Sequence, residues 1–136
     1  MIILRLDTKS GVPPYRQIAQ QIRHALVAAV LKPGDQLPTV KEVVTQLAIN
    51  PNTVFKAYRE LEHEGLVEGR PGAGTFVTRR PPGPPPGTHA AMARSLAHWV
   101  ERARAAGLDD TSIESLMREI QYAGGSGFGT AGGDIA

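Results

Sequence analysis

The sequence predicts a mainly α-helical fold with a small β wing, followed by a two-helix tail. Apolar residues recur at helical spacing in three segments before residue 65. Two short extended runs then flank a turn rich in Gly and Pro, and two more amphipathic segments follow a proline-rich stretch. At 136 residues the chain is long enough for one domain with an appendage.

The composition excludes several classes of protein. With 41% hydrophobic and 21% charged residues it is typical of a globular chain, and no apolar run approaches the roughly 20 residues of a membrane span. Because the chain has no cysteine, it forms no disulfide, thiolate metal site or catalytic thiol, and we expect a cytoplasmic protein. Residues 1–80 hold 11 Lys and Arg against 7 Asp and Glu, while residues 81–136 hold 4 against 6, which indicates different partners for the two halves.

The first helix is predicted to begin near Pro13 and to end before the turn at 32–34, where Pro fixes φ and Gly permits a positive φ. A further strand is expected before this helix, at Ile2–Leu6. The apolar stripe of the helix consists of Tyr15, Ile18, Ile22, Leu26 and Ala29.

Two shorter helices follow, each with its own start signal. Thr39 and Glu42 form a capping box that begins a helix over about 39–47. Asn50 is a strong N-cap and Pro51 suits the first helical position of the next helix. That helix ends at Gly65, which can adopt a left-handed conformation.

The segment after Gly65 reads as a β-hairpin, with strands at 66–68 and 75–77 around a turn at 70–74. Two helices joined by the three-residue turn 48–50, the second followed by a hairpin, describe a winged helix-turn-helix domain. In such a domain the second helix of the pair enters the major groove of DNA.

The composition of the second helix agrees with this role. Its core stripe is Val54, Ala57, Tyr58 and Leu61, and at 100° per residue the opposite face carries amide, cationic and imidazole side chains but no carboxylate. Asn reads adenine, and Lys or Arg reads guanine or holds phosphate. The residues of this outward face are Asn52, Lys56, Arg59 and His63.

Three segments, Lys32–Thr39, Ile49–Glu62 and Gly65–Val77, resemble the corresponding stretches of GntR-family bacterial transcription regulators. The second of them is similar to the recognition helix of the YtrA-like subfamily, and the match covers about residues 1–80. The resemblance implies a dimer that binds a near-palindromic operator, usually as a repressor. In this subfamily the target is often a transporter operon that includes the regulator's own gene.

The chain departs from the family pattern at two positions. Lys41 stands where many members have an arginine on phosphate, and Phe55 replaces a frequent arginine. Lys keeps the charge but loses the bidentate fork. Phe55 is expected to touch a thymine methyl, and Thr53 to help hold a phosphate at the helix start. The predicted DNA-contacting residues are Thr39, Lys41, Asn50, Asn52, Thr53, Phe55, Lys56, Arg59, Arg70, Gly72 and Gly74.

Residues 81–87, with five prolines in seven positions, predict a stiff linker, and a ligand for a proline-recognition domain is the alternative. The two helices expected over 88–123 cannot close a core alone, so they pair with a second copy or pack on their own front domain. Residues 124–136 are expected to be a disordered Gly-rich tail. The predicted dimerisation residues are Met92, Leu96, Trp99, Val100, Ala103, Ile113, Leu116, Met117 and Ile120.

The sequence predicts neither an enzyme nor a cofactor. The Gly72-x-Gly74 pair lacks the Lys and Ser/Thr of a phosphate loop, and His24, His63, His89 and His98 show no close metal spacing. Trp99 belongs to the helix core or lines an effector pocket between subunits. The alternative function is a winged-helix module for protein interaction, which predicts a neutral or apolar outward face on the second helix.

Overall fold

The structure, a computed structural model, describes residues 2–126, with the backbone alone for residues 124–126. The chain divides into two compact units, one up to Ala90 and one from Ala91 onward. The predicted fold class is confirmed: helices dominate and a single hairpin forms the sheet of the described part. The elements in chain order are α1 (Pro14–Val27), α2 (Val40–Leu47), α3 (Pro51–His63), β1 (Val67–Arg70), β2 (Gly74–Val77), α4 (Thr88–Ala105) and α5 (Asp110–Ser126).

The core of the first unit lies between α1 and α3, with α2 against α3. Ile18, Ile22 and Leu26 of the predicted stripe are fully buried, and Tyr15 is half-buried beside them. The prediction was wrong for Ala29, which lies beyond the helix at a φ of 60°. The N–H groups of Ala29 and Val30 donate to Leu26 O and Ala25 O (3.2 and 2.9 Å), so Ala29 closes the helix in a Schellman motif.

The strand expected at Ile2–Leu6 does not form, because the partner of this segment is two side chains of α1 and not a strand. The Gln21 amide accepts from Arg5 N (2.9 Å) and donates to Arg5 O (2.6 Å). The Gln17 amide makes the same pair of bonds with Asp7, at 2.8 and 2.9 Å. The two glutamines satisfy the backbone groups of alternate residues, Arg5 and Asp7, as a neighbouring strand would, and Leu4 just before them is buried in the core.

The helix-turn-helix is set by local caps, as predicted. Thr39 Oγ1 accepts from Glu42 N (3.1 Å) while Glu42 Oε1 accepts from Thr39 N (3.0 Å), which completes the capping box. Ala48 reverses the chain at a φ of 54°, and Asn50 Oδ1 accepts from Asn52 N at 2.8 Å. At the far end of α3, Gly65 takes a φ of 74° in a second Schellman motif.

The hairpin pairs Val67 with Val77 and Arg70 with Gly74 in an antiparallel register. The segment after α1 lies along β2 and extends this pairing. Gly34 N donates to Val77 O, Val77 N to Asp35 O, and Leu37 N to Thr75 O, each at 2.8 Å. The wing is therefore held to the body of the first unit by backbone hydrogen bonds.

The second unit consists of α4 from Ala91 onward and of α5, which follow each other as a helical hairpin. Gly107, at a φ of 100°, ends α4, and Asp109 caps α5 by accepting from Ser112 N at 2.8 Å. α5 continues to Ser126, so residues 124–126 are helical and not part of the predicted disordered tail. The preceding turns of the amphipathic helix propagate through the two glycines, because each glycine costs the helix only a modest free energy. The rest of that predicted tail lies outside the described residues. Among the described helices none is both long and apolar enough to cross a membrane.

The capping box predicts a pH dependence of stability. The hydrogen bonds from Thr39 hold the pKa of the Glu42 carboxyl below its usual range. A carboxyl with a lowered pKa in the folded state stabilises that state above its ordinary pKa, and the contribution is lost as the pH falls through the lowered pKa. Glu42→Gln keeps a capping box but does not titrate. In urea unfolding, the free energy of unfolding of the wild type should therefore fall relative to that of Glu42→Gln as the pH is lowered from 7 to 3. Glu119→Gln, an exposed carboxyl in mid-helix, is the control, and equal shifts in both variants would contradict the prediction.

Candidate nucleic-acid interface

The outward face of α3 is the centre of the candidate interface. Val54, Ala57, Tyr58 and Leu61 are buried against the core, at 0 to 6% exposure. Burial raises the pKa of the Tyr58 hydroxyl, which donates to Pro38 O at 2.5 Å. The residues of the predicted outward face are all exposed: Asn52, Lys56, Arg59 and His63.

The carboxylates of α3 are turned away from this face by specific partners. Arg23 of α1 binds Glu64 through two nitrogens (2.6 and 3.0 Å) and lies 3.9 Å from Glu60. Glu62 Oε2 accepts from Gly69 N of the wing at 2.9 Å. Glu64 is thus bound by Arg23, Glu60 lies near the same guanidinium, and Glu62 is bound to the wing, so the outward face itself carries cations and no carboxylate, which suits a polyanion.

Lys56 is supported from α1. Its Nζ lies 4.1 Å from the centre of the Tyr15 ring, and the Arg16 guanidinium lies 5.9 Å from the same ring. An exposed cation–π contact contributes about 0.5–1 kcal/mol. Neither cation has a carboxylate partner in the part of the chain that the structure describes. Sequence reasoning missed Tyr15 and Arg16 as neighbours of the interface, because helical periodicity places Tyr15 in the core stripe and gives no distance between helices.

The remaining predicted residues of the helix-turn-helix fall into two groups. The side-chain oxygens of Thr39 and Asn50 already serve as N-caps, so their first role is to set where α2 and α3 begin. Lys41 is exposed on α2, and Phe55 remains 49% exposed on α3. Thr53 is half-buried at the first turn of α3.

The wing carries a cation that is partly neutralised within the wing itself. Arg70 forms an ion pair with Glu68 (2.9 Å) and its guanidinium lies 4.3 Å from the centre of the Phe76 ring. Beyond it Gly72 turns the tip at a φ of 76°. Phe55, Arg59 and Glu62 of α3 are among the residues that line a cleft of about 160 Å³ together with Gly69 and Thr75 of the wing. The recognition helix and the wing therefore meet along one surface.

The predicted dimerisation residues share the α4–α5 hairpin, which has little core of its own. Ala103 and Ile113 are the buried residues of its described part. The other members of the set are half-buried or exposed, and five of them line one apolar cleft of about 460 Å³. Those five are Leu96, Trp99, Leu116, Met117 and Ile120.

The fold also brings together two residues that sequence spacing kept apart. His24 in the last turn of α1 and His89 in the first turn of α4 place their Nε2 atoms 2.8 Å from each other. They are 65 positions apart in the chain, so no local pattern signals this contact.

Comparison with known proteins gives a family match over the same elements. Residues 14–77 match the model of the bacterial regulatory proteins of the gntR family. The chain is 45% identical over 76 residues to the HTH-type transcriptional repressor YtrA of Bacillus subtilis, which covers 56% of the chain and 58% of that relative. It is 44% identical over 117 residues to the HTH-type transcriptional regulator Rv1152 of Mycobacterium tuberculosis, covering 86% of the chain and 93% of that relative. These relatives are named as transcriptional regulators and not as enzymes.

Two solved structures are similar over most of the chain. A transcriptional antiterminator from Listeria monocytogenes EGD-e aligns with a TM-score of 0.56 at 30% identity and covers 88% of this chain and 90% of its own. YtrA from Sulfolobus acidocaldarius, a GntR-family transcription factor, aligns with a TM-score of 0.51 at 28% identity, covering 90% and 100% respectively. Both alignments extend beyond the winged domain into the segment that contains the helical hairpin.

The wing predicts unequal tolerance at its two outer glycines. A Cβ at Gly74, where φ is 119°, would lie 2.5 Å from Gln36 Nε2, whereas a Cβ at Gly72 would meet no atom within 4 Å. Gly72→Ala should cost about 1–2 kcal/mol of the free energy of unfolding, from the left-handed backbone alone. Gly74→Ala should cost slightly more, because its Cβ displaces the flexible Gln36 amide from its hydrogen bond to Ala73 O (3.1 Å), and this extra cost should disappear when Gln36→Ala is added. Denaturant unfolding measures all three variants, and equal costs for the two single variants would contradict the close approach.

Proposed function

The chain belongs to the GntR family of bacterial regulatory proteins and is a DNA-binding transcriptional regulator; from this premise we propose that it binds a near-palindromic operator as a homodimer and represses transcription. The proposed target is a transporter-type operon that includes the regulator's own gene. The observation that carries the proposal is the outward face of α3, which is exposed and cationic and has its carboxylates bound elsewhere.

The proposed division of labour on DNA follows from side-chain type. Asn52 and Arg59 read base edges in the major groove, since an amide pairs with adenine and a guanidinium with guanine. Lys56 and Lys41 hold phosphates and so set the register of the protein on the duplex. Arg70 leaves Glu68 for a phosphate at the edge of the site, because a fully charged phosphate next to the wing competes with one exposed carboxylate.

The α4–α5 hairpin supports the dimer. Three apolar side chains of this hairpin are largely exposed: Met92 (63%), Leu96 (50%) and Ile120 (51%). Leu96 and Ile120 line the same apolar cleft as Trp99. An isologous interface pairs this surface with its own copy and removes it from water. Two recognition helices then read two half-sites one turn of DNA apart, or a multiple of it, which requires a near-palindrome.

The repressive sign and the target are supported by likeness to relatives. The Bacillus subtilis relative is named a repressor. The target, a transporter-type operon that includes the regulator's own gene, is carried over from the resemblance to the YtrA-like subfamily.

The DNA contacts predict a loss of binding that exceeds any loss of stability. Lys56→Ala and Arg59→Ala should each weaken binding to the DNA upstream of the protein's own gene by about 1–3 kcal/mol. Because the Arg59 side chain is exposed, Arg59→Ala should leave the melting temperature unchanged, whereas Lys56→Ala should lower it slightly through loss of the contact with the Tyr15 ring. A fluorescence-anisotropy titration at two salt concentrations separates the roles: Lys56→Ala should lower the salt slope by about one, whereas Arg59→Ala should reduce discrimination against a scrambled duplex.

Lys9→Ala, an exposed lysine outside the interface, is the control and should leave both quantities unchanged. Unchanged affinity in Lys56→Ala and Arg59→Ala would refute the assignment of α3 to the major groove. Absence of binding by the wild-type protein even at low salt would favour the protein-interaction module instead.

The proposed dimer predicts that one charged side chain, introduced on the apolar face of α4, dissociates the two subunits. Leu96→Glu should convert the dimer to a monomer in analytical ultracentrifugation, since a carboxylate would be buried without a partner. Operator affinity should fall by about a hundredfold or more, because two linked half-site contacts become independent.

His98→Glu adds the same side chain two positions away, on the opposite side of α4, and should leave the dimer intact. A Leu96→Glu protein that sediments as a dimer would overturn the assignment of this face.

A further inference from the structure

The contact between His24 and His89 has no role in the proposed recognition of DNA. The Nε2 atoms approach to 2.8 Å, the ring centres are 4.6 Å apart and the ring planes cross at 71°. Each imidazole therefore turns the same ring nitrogen toward the other. Both rings belong to the first unit, which ends at Ala90.

The surroundings leave this pair open to small ions. His24 is exposed and His89 is half-buried. Both line an open cleft of about 660 Å³, whose wall also includes the polar side chains of Asp7, Ser10 and Gln20. No lysine or arginine is among the residues that line the cleft, so a cation entering it meets no positive side chain on the wall.

Hydrogen bonds of Arg80 hold the segment that leads to His89 against the end of α1. Arg80 donates through Nε and Nη2 to Val27 O, the carbonyl of the last residue of α1, at 3.2 and 2.6 Å. Arg80 also donates to Pro84 O. The proline-rich linker thus starts one helical turn from His24, and its stiffness limits where His89 lies. A preorganised pair of ligands loses less conformational freedom when it binds an ion.

The spacing of the two nitrogens suits neighbouring ligands of one ion. A metal–nitrogen bond is about 2.0–2.1 Å, so two imidazoles at right angles around one metal have nitrogens about 2.8–3.0 Å apart. Tetrahedral ligands at the same bond length lie about 3.3 Å apart. The 2.8 Å of the hydrogen bond between the rings is nearer the spacing of neighbouring ligands in a tetragonal centre, the geometry typical of Cu²⁺ and Ni²⁺ with nitrogen and oxygen ligands.

We propose that His24 and His89 form a binding site for a divalent transition metal ion that prefers imidazole, with Cu²⁺ and Ni²⁺ bound ahead of Zn²⁺. Within residues 2–126 no group of three or more His, Cys, Asp or Glu is arranged around an ion. The pair is thus a two-histidine site, and water or an external ligand fills the other positions. Such an open site exchanges its metal readily and gives it up to a chelator.

Metal binding at this site joins α1 to the start of α4. The ion replaces the single hydrogen bond between the rings and requires both imidazoles to be neutral. Since both ligands come together in the folded chain, the ion binds the folded state in preference to the unfolded one and raises the melting temperature.

The test uses the full-length, untagged protein freed of metal. Isothermal titration with Ni²⁺ alone, repeated with Cu²⁺ and Zn²⁺, should show one ion per chain, with Zn²⁺ the weakest. His24→Ala and His89→Ala should each weaken binding by at least about tenfold, since even supporting residues around a metal contribute that much. His63→Ala and His98→Ala remove exposed histidines elsewhere and should bind as the wild type does.

A thermal melt gives a second measurement. Ni²⁺ should raise the melting temperature of the wild type and of the two controls, and a chelator should reverse the shift. Neither effect should occur in His24→Ala or His89→Ala, whose exposed or half-buried sites allow the variants to fold. Absence of saturable binding, or equal binding in all four variants, would overturn the proposal and leave the contact as a hydrogen bond. These measurements contain no DNA, so their outcome is separate from that of the operator experiments.

Discussion

The rotational setting of α3 is the constraint on which the rest of the structure depends. Val54, Ala57 and Leu61 are fully buried against α1 and α2. Burying a Val or Leu side chain contributes about 1.5–3 kcal/mol, so rotating α3 by a quarter turn would cost most of that contribution for Val54 and for Leu61. The Tyr58 hydroxyl adds a directional hydrogen bond to Pro38 O. With this face fixed, the polar residues opposite it have no orientation except outward.

The same constraint explains how the charges are arranged. The carboxylates at the flanks of α3 lie within reach of α1 on one side and the wing on the other, where Arg23 and the Gly69 N–H receive them. These bonds draw the carboxylates toward the flanks of α3 and also join α3 to both of its neighbours. A displacement of α3 would therefore break the Glu62 link to the wing, so the proposed DNA contacts of the helix and of the wing are coupled.

What could be predicted from the sequence is what depends on neighbours along the chain. The caps at Thr39 and Asn50, the reversal at Gly65 and the outward face of α3 are all fixed within a few residues, and they are confirmed. The errors lie where the partner is distant or of another kind. The apolar residues before α1 predict a strand, but the backbone of this segment is paired by the amides of Gln17 and Gln21. The contacts of Lys56 with Tyr15 and of His24 with His89 depend on how helices pack, which periodicity does not encode.

The α4–α5 hairpin links the fold of the second unit to the proposed assembly. Ordering a residue costs about 1–2 kcal/mol of backbone entropy, and two buried side chains cannot offset that cost over two helices of 18 and 17 residues. The capping by Asp109, the reversal at Gly107 and the ion pair between Arg104 and Asp110 fix the turn between the helices. They add little apolar burial, since the pair is exposed. In the proposed dimer, covering the cleft beside Trp99 supplies the apolar burial that this hairpin lacks, so order in the hairpin and pairing of two chains are expected to be one equilibrium.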